Sequence, residues 1–148
     1  MSRALRSLRA PVALAVALAL GGCFSDRPTE PEGTAPVSFA DDVEPILAGS
    51  CASSGCHGTT NPNPGNKPLV LAMGQAYANI VGVASGELPS MNRITVGDPD
   101  KSYLIHKLQG THTSVGGSGS QMPLGQAPLS QSRIDQIRKW AKDGALRN

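Results

Sequence analysis

Aromatic residues are scarce in this sequence, whose 148 positions hold two Phe, two Tyr and one Trp. A domain normally draws much of its buried area from aromatic side chains, so this chain has a thin supply for a core of its own. A large apolar cofactor would fill the middle of such a domain. The length also excludes a multidomain enzyme and suits one compact domain with an appendage.

Basic residues are in no real excess. The chain has 13 Lys and Arg against 11 Asp and Glu, but Arg3, Arg6 and Arg9 stand in the first nine positions and every acid follows residue 25. Without that N-terminal stretch, ten basic residues face eleven acidic ones, which is a formal charge of −1. We therefore expect no nucleic-acid partner, since binding to phosphates needs clustered positive charge.

The alternation of apolar and polar residues that strands need is missing as well. Four segments carry helical signals instead, and they predict an all-α domain. In the first helix, Ser38 is the cap and Asp41 its capping-box partner, Pro45 introduces a kink, and Gly49 ends the helix. The other predicted helices are residues 75–81, residues 100–109 after the Asp98-Pro99 cap, and a last helix capped by Ser130 or Ser132 with Ile134, Ile137, Trp140 and Ala141 on one face.

The N-terminus is typical of a targeting segment. Residues 1–22 join basic residues to an apolar run that has the length of the hydrophobic region of a secretory signal and about half that of a membrane span. The run leads into Leu20-Gly21-Gly22-Cys23, which resembles a bacterial lipobox, so Cys23 is predicted to carry lipid and to begin the mature protein. Ala17-Leu18-Ala19 is an alternative cleavage site, which would leave Cys23 as a free thiol or bonded to a partner chain.

The next segment, residues 23–37, is predicted to be a tether. It carries three Pro and three acidic residues and is too polar and too broken to bury a core. The folded domain is then predicted to span residues 38–148. Together these features predict an exported protein of the cell envelope or periplasm, anchored to a membrane by lipid.

The chemistry of the domain is concentrated in the stretch from Cys51 to His57, which reads Cys-Ala-Ser-Ser-Gly-Cys-His. Two thiols followed at once by an imidazole can bond to the two vinyl groups of haem while the histidine reaches the iron. The usual spacing between the cysteines is two residues, and here it is four, but the small residues between them make a bulge easy. A disulfide between Cys51 and Cys56 is one alternative. A zinc site that adds His106 or His112 is another.

Around this motif the chain resembles the small monohaem c-type cytochrome domains of bacteria. The resemblance covers nearly all of residues 38–148. It is carried by Phe39, Asp42, Val43, Pro45, Ile46 and Leu47 before the haem motif, then Gly97-Asp98-Pro99 with Ser102-Tyr103-Leu104, then Met122-Pro123, and finally Pro128-Leu129-Ser130 leading into Ile134, Ile137, Trp140 and Gly144-Ala145.

The resemblance implies a cytochrome c-like fold of about four helices around one covalently attached haem c, with the first and last helices crossing beside it. Cys51 and Cys56 would form the thioethers. His57 would be the proximal iron ligand, and Met122, from the long loop over residues 110–128, the distal one. The remaining candidates for the distal position are His112, Met91, His106 and Met73.

An electron carrier with redox-protein partners is the function that this ligand pair implies, because His and Met saturate the iron and leave no place for a small-molecule substrate. The protein is thus predicted not to be an enzyme. One alternative is a haem protein with an exchangeable distal site, peroxidase-like or a sensor, in which His106 or His112 acts as acid or base. Another is a haem-free, disulfide-bonded lipoprotein that serves as a binding module.

Overall fold

Helices make up the regular secondary structure of the domain. A computed structural model describes residues 35–53, 55–59 and 68–148, all of them in one compact unit, Gly33–Asn148. The predicted signal peptide, Cys23 and most of the tether lie outside these residues. The four α-helices are α1 (Glu44–Cys51), α2 (Ala76–Ile80), α3 (Tyr103–Gln109) and α4 (Gln131–Lys142).

Shorter turns complete the helical content, and the described residues contain isolated β-bridges but no strand. The turns are a π-helical segment, Phe39–Val43, and two 3₁₀ segments, Pro99–Lys101 and His112–Val115. The prediction of a helical domain without strands is therefore confirmed for the part of the chain that the structure describes. No helix within that part is long and apolar enough to span a membrane.

The start of the first helix differs from the prediction in its details. Ser38 is the cap, because its hydroxyl accepts a hydrogen bond from the Asp41 N–H at 3.2 Å. The second bond of the capping box involves Asp42 and not the predicted Asp41, because the Ser38 N–H donates to the Asp42 carboxylate at 2.8 Å. A π turn follows, so Pro45 lies in the first turn of α1, where its missing N–H costs no hydrogen bond. Pro45 thus starts α1 instead of kinking it, and α1 continues past Gly49 to its end at Cys51.

The third predicted helix, residues 100–109, is divided in two. The Asp98 side chain caps the 3₁₀ segment Pro99–Lys101, and α3 begins only after Ser102. Ser102 is fully buried, and its hydroxyl accepts from the Thr95 N–H at 2.9 Å and donates to the Asp98 carbonyl at 2.8 Å. These bonds hold Ser102 in an extended conformation, which accounts for the break in the helix.

Three of the aromatic side chains meet on one side of the domain. The ring of Trp140, on α4, lies 5.1 Å from that of Phe39 and 6.3 Å from that of Tyr77. The Trp140 indole N–H donates to the Leu146 carbonyl at 2.8 Å, so the polar edge of this buried ring is satisfied. All four predicted core residues of α4 are buried, as expected. The cluster leaves Tyr103 as the one aromatic residue of the domain that lies elsewhere in the described structure.

Candidate functional site

A cavity of about 220 Å³ opens beside α1 and α3, many times the space that one water molecule needs. Its lining is part apolar and part polar. The less polar lining residues are four leucines, Leu69, Leu71, Leu104 and Leu108, together with Cys51, His57 and Met122. The remaining lining residues are Ser85, Gly86, Glu87, Arg93, Tyr103 and Lys107. Three of the four residues predicted to contact haem therefore share this one cavity.

The haem motif starts at the last residue of α1 and folds back on it. Cys51 is buried in the cavity wall, and its carbonyl accepts the His57 N–H at 2.9 Å, which brings the histidine next to the cysteine. Cys56 is half-buried and stands beside His57, but it is not one of the lining residues. Both thiols are free. The structure thus brings together Cys51 and His57 at the cavity and places Cys56 next to them in the turn.

His57 is held by the backbone of Leu69 and Leu71. Its Nδ1 lies 3.2 Å from the Leu69 carbonyl, and its own carbonyl accepts the Leu71 N–H at 2.7 Å. A carbonyl can only accept, so Nδ1 carries the hydrogen and Nε2 keeps a lone pair for a metal. Burial lowers the pKa of His57, which keeps the imidazole neutral at pH 7. A neutral ring with a hydrogen-bonded Nδ1 is the form in which histidine ligates a metal.

The Cys51 thiol is a poor nucleophile in this environment. Burial, and secondly the nearby Cys56, raise its pKa to about 11, so it remains protonated at neutral pH. A nucleophilic cysteine needs the opposite, a pKa lowered by positive charge or a helix N-terminus. The adjacent Cys and His side chains are therefore poorly suited to act as a catalytic dyad.

Met122 is the candidate for the distal position that the structure brings to the cavity. Its N–H donates to the Lys107 carbonyl at 3.0 Å, which ties the loop over residues 110–128 to α3. Its side chain is half-buried and packs against the hydrophobic core. The thioether therefore shares the cavity with the His57 imidazole.

The other four candidates for the distal position stand away from the cavity lining. Met73 is 59% exposed. Met91 is part of a turn, and its carbonyl accepts the Ser85 N–H. Both ring nitrogens of His106 are engaged, with the Thr111 hydroxyl at 2.8 Å and the Asp100 carbonyl at 2.9 Å. His112 is buried, and its Nε2 lies 3.0 Å from the Gly119 carbonyl, whereas its Nδ1 has no hydrogen-bond partner among the described residues.

The polar part of the lining was not foreseen from the sequence, apart from Tyr103. Arg93 is 5% exposed, and its guanidinium donates to the Asn79 carbonyl at 2.7 Å and to the Pro68 carbonyl at 3.2 Å. Burial lowers the pKa of Arg93, which marks the positive charge as poorly solvated. Lys107 and Glu87 add one charge of each sign, so the lining carries two cations and one carboxylate.

Gly58, directly after His57, is required by a close backbone approach. A Cβ at this position would lie 2.8 Å from the Ala52 carbonyl oxygen, which belongs to the backbone and cannot turn away. We expect Gly58→Ala to lower the free energy of unfolding by about 1–3 kcal/mol, measured by chemical denaturation. Gly49→Ala is the matched control, because its Cβ meets nothing within 4 Å in α1 and a helical Ala gains about 0.5–1 kcal/mol. Equal stabilities of the two variants would contradict this interpretation.

Comparison with known proteins adds no assignment: no family model, no curated protein and no solved structure matches this chain. Within residues 35–53, 55–59 and 68–148 there is also no group of three or more His, Cys, Asp or Glu side chains placed to hold a metal ion. The zinc alternative drew on four such side chains, Cys51, Cys56 and His57 with either His106 or His112. The functional interpretation therefore depends on the motif and on the geometry of the cavity.

Proposed function

We propose that residues 38–148 form a c-type cytochrome-like domain that carries single electrons between redox proteins on one covalently attached haem c. The observation that supports the proposal most is the meeting of Cys51, His57 and Met122 at one cavity. The motif points to Cys51 and His57, and the resemblance to c-type cytochrome domains points to Met122, in each case without any tertiary contact. A loop residue such as Met122 has no reason in its local sequence to share a cavity with the Cys51–His57 turn.

The donor atoms suit a six-coordinate haem iron. His57 is neutral, with Nδ1 engaged by the Leu69 carbonyl and Nε2 left for the metal. The Met122 thioether is a soft ligand, which favours the reduced state and raises the potential. When bound, the haem supplies a one-electron couple, and a His/Met pair leaves no coordination position for a substrate. This is why we infer a carrier and not an enzyme.

The two free thiols suit covalent attachment. Cys51 presents its sulfur in the wall of the cavity, and Cys56 stands one residue before the proximal histidine. We infer that each forms one thioether to the haem. The longer spacing between them is accommodated in a turn in which the Cys56 N–H donates to the Ser53 carbonyl at 3.0 Å.

The remaining lining suits the rest of the same cofactor. Four leucines provide the apolar wall that a porphyrin ring needs. Arg93 lines the same cavity and would provide positive charge for the anionic carboxylate groups of the cofactor. A cofactor in this position would also supply the buried apolar area that the few aromatic residues do not.

Location and partners follow from the sequence motifs, which lie outside the described residues. We infer export through the signal in residues 1–22 and attachment to a membrane through lipid on Cys23. The tether would leave the domain free to meet redox-protein partners in the cell envelope or periplasm. We infer no nucleic-acid partner and no small-molecule substrate.

An anaerobic reductive titration of the exported protein tests the carrier function. We expect one electron per polypeptide, full reoxidation, and no binding of carbon monoxide by the reduced protein, because the iron is saturated. Rapid binding of carbon monoxide would instead indicate an exchangeable distal site, as in a peroxidase-like protein or a sensor. A protein that takes up no electron would contradict the proposal.

A further inference from the structure

An ionic network, in which Lys107 and Tyr103 are buried and Glu87 is exposed, connects α3 to the loop that carries Met122. The Lys107 ammonium lies 2.8 Å from the Glu87 carboxylate and donates to the Ser118 carbonyl at 3.1 Å. The Tyr103 hydroxyl donates to the same carboxylate at 2.9 Å and accepts from the Ser118 N–H at 3.2 Å. Lys107, Glu87 and Tyr103, here called the loop clamp, thus hold both polar groups of the Ser118 backbone.

Lys107 holds the loop at two points. Its side chain holds Ser118, and its backbone carbonyl accepts the Met122 N–H at 3.0 Å. The segment between these points is therefore fixed at each end by one residue of α3. A shift of the Lys107 side chain would therefore displace Ser118, which is four residues before Met122.

The glycines of the loop lie directly on the clamp. A Cβ at Gly117 would lie 2.5 Å from the Tyr103 ring, and one at Gly119 would lie 2.7 Å from the Glu87 carboxylate and 3.0 Å from the Lys107 ammonium. Besides the clamp, His112 also holds this stretch, through its bond to the Gly119 carbonyl. The segment has no apolar side chain of its own to pack, so polar contacts fix its position.

The burial of Lys107 is costly if stability is its only role. Its side chain is 7% exposed, and taking an ammonium out of water costs several kcal/mol before its partners compensate. An apolar residue at this position on the buried face of α3 would serve packing at least as well. A buried charge that is bonded to a specific backbone carbonyl fixes one arrangement of the loop instead of many.

We propose that Lys107 is a positioning residue for the distal ligand, which through Glu87, Tyr103 and Ser118 keeps the Met122 thioether over the cavity. This inference rests on the proposed function, in which Met122 binds the haem iron. The clamp restrains the loop, so exogenous ligands must compete with a thioether that cannot move away. Loosening the clamp makes the iron accessible while the haem stays attached through the cysteines.

The test compares imidazole binding to the oxidised, haem-loaded protein in three variants. Lys107→Met keeps the length of the side chain and removes the ammonium, and we expect it to raise the apparent affinity for imidazole about tenfold or more. In this variant the charge-transfer band from the Met122 thioether to the iron should weaken as well. Lys107→Arg keeps the charge and should restore both properties. Lys101→Met is the control, since this exposed lysine of the preceding segment pairs only with Asp98 among the described ion pairs.

A merely structural role for Lys107 would lower the stability of the protein without changing its imidazole affinity, and that result overturns the proposal. Met122→Ala distinguishes a failure of the assignment of Met122 as ligand from a failure of the positioning role of Lys107. If it binds imidazole no better than the wild type, the assignment of Met122 as ligand fails. If it binds far better while Lys107→Met equals the wild type, the positioning role fails and the proposed function stands.

Tyr103→Phe keeps the inference testable if Lys107→Met does not fold. It removes one hydroxyl from the clamp and leaves the ion pair between Lys107 and Glu87 in place. We expect an increase of a few-fold in imidazole affinity, smaller than that of Lys107→Met. No increase in a folded, haem-loaded Tyr103→Phe protein overturns the proposal equally.

Discussion

Replacing both Cys51 and Cys56 by serine is expected to abolish covalent haem attachment completely. Serine has nearly the same size, but its oxygen forms no thioether with a vinyl group, and both thiols are free in the structure. Each single variant should retain one attachment and a lower yield of loaded protein. The measurement is haem staining after denaturing electrophoresis, together with the mass of the intact chain, which should exceed that of the polypeptide by one haem.

Ser53→Ala is the control for the double variant, because it changes an exposed residue within the same turn and leaves both thiols in place. It should stain like the wild type. If the double cysteine variant stained as strongly as the wild type, the two cysteines would not be the attachment points. If neither protein stained, the haem proposal itself would fail.

Replacing Met122 by alanine is expected to have the second largest effect. The thioether is lost while the proximal His57 and both cysteines remain, so the reduced protein should now bind carbon monoxide. The reduction potential should fall by on the order of 0.1 V, because axial ligands set haem potentials and methionine raises them. Spectra of the reduced protein with and without carbon monoxide measure the first property, and a spectroscopic redox titration with mediators measures the second.

Met73→Ala is the control for that experiment, since Met73 is exposed and away from the cavity. Its carbon monoxide binding and potential should match those of the wild type. An unchanged low-spin spectrum and potential in Met122→Ala would contradict the assignment. His112 would then be the next candidate, because its buried Nδ1 has no hydrogen-bond partner among the described residues while its Nε2 bonds to the Gly119 carbonyl.

The helical elements could be predicted from the sequence where local chemistry decides them. Ser38 and Asp98 act as caps through hydrogen bonds to residues three positions away, and the apolar face of α4 is buried as its spacing indicates. The break at Ser102 could not be predicted in this way. It depends on a hydroxyl that is buried between Thr95 and Asp98, and that burial is decided by the tertiary structure.

The candidate site likewise contains residues that could be predicted from the sequence and residues that could not. Cys51 and His57 could be identified because their residue types and order carry a chemical pattern, and Met122 because of the resemblance to c-type cytochrome domains; all three lie at one cavity. Glu87 and Arg93 carry no such pattern, since their positions at the cavity depend on contacts that are distant in sequence. Lys107 was detectable in principle, because it follows Tyr103 by one helical turn and thus lies on the buried face of α3.

The central claim, a covalently attached haem ligated by His57 and Met122, is tested most directly by one absorption experiment. The protein is exported from a host that matures c-type cytochromes, and its oxidised and dithionite-reduced spectra are recorded before and after denaturation. We expect sharp bands in the reduced form, a weak thioether-to-iron band in the oxidised form, and haem that stays with the denatured chain. A folded but colourless protein, with Cys51 and Cys56 joined in a disulfide, would contradict the account.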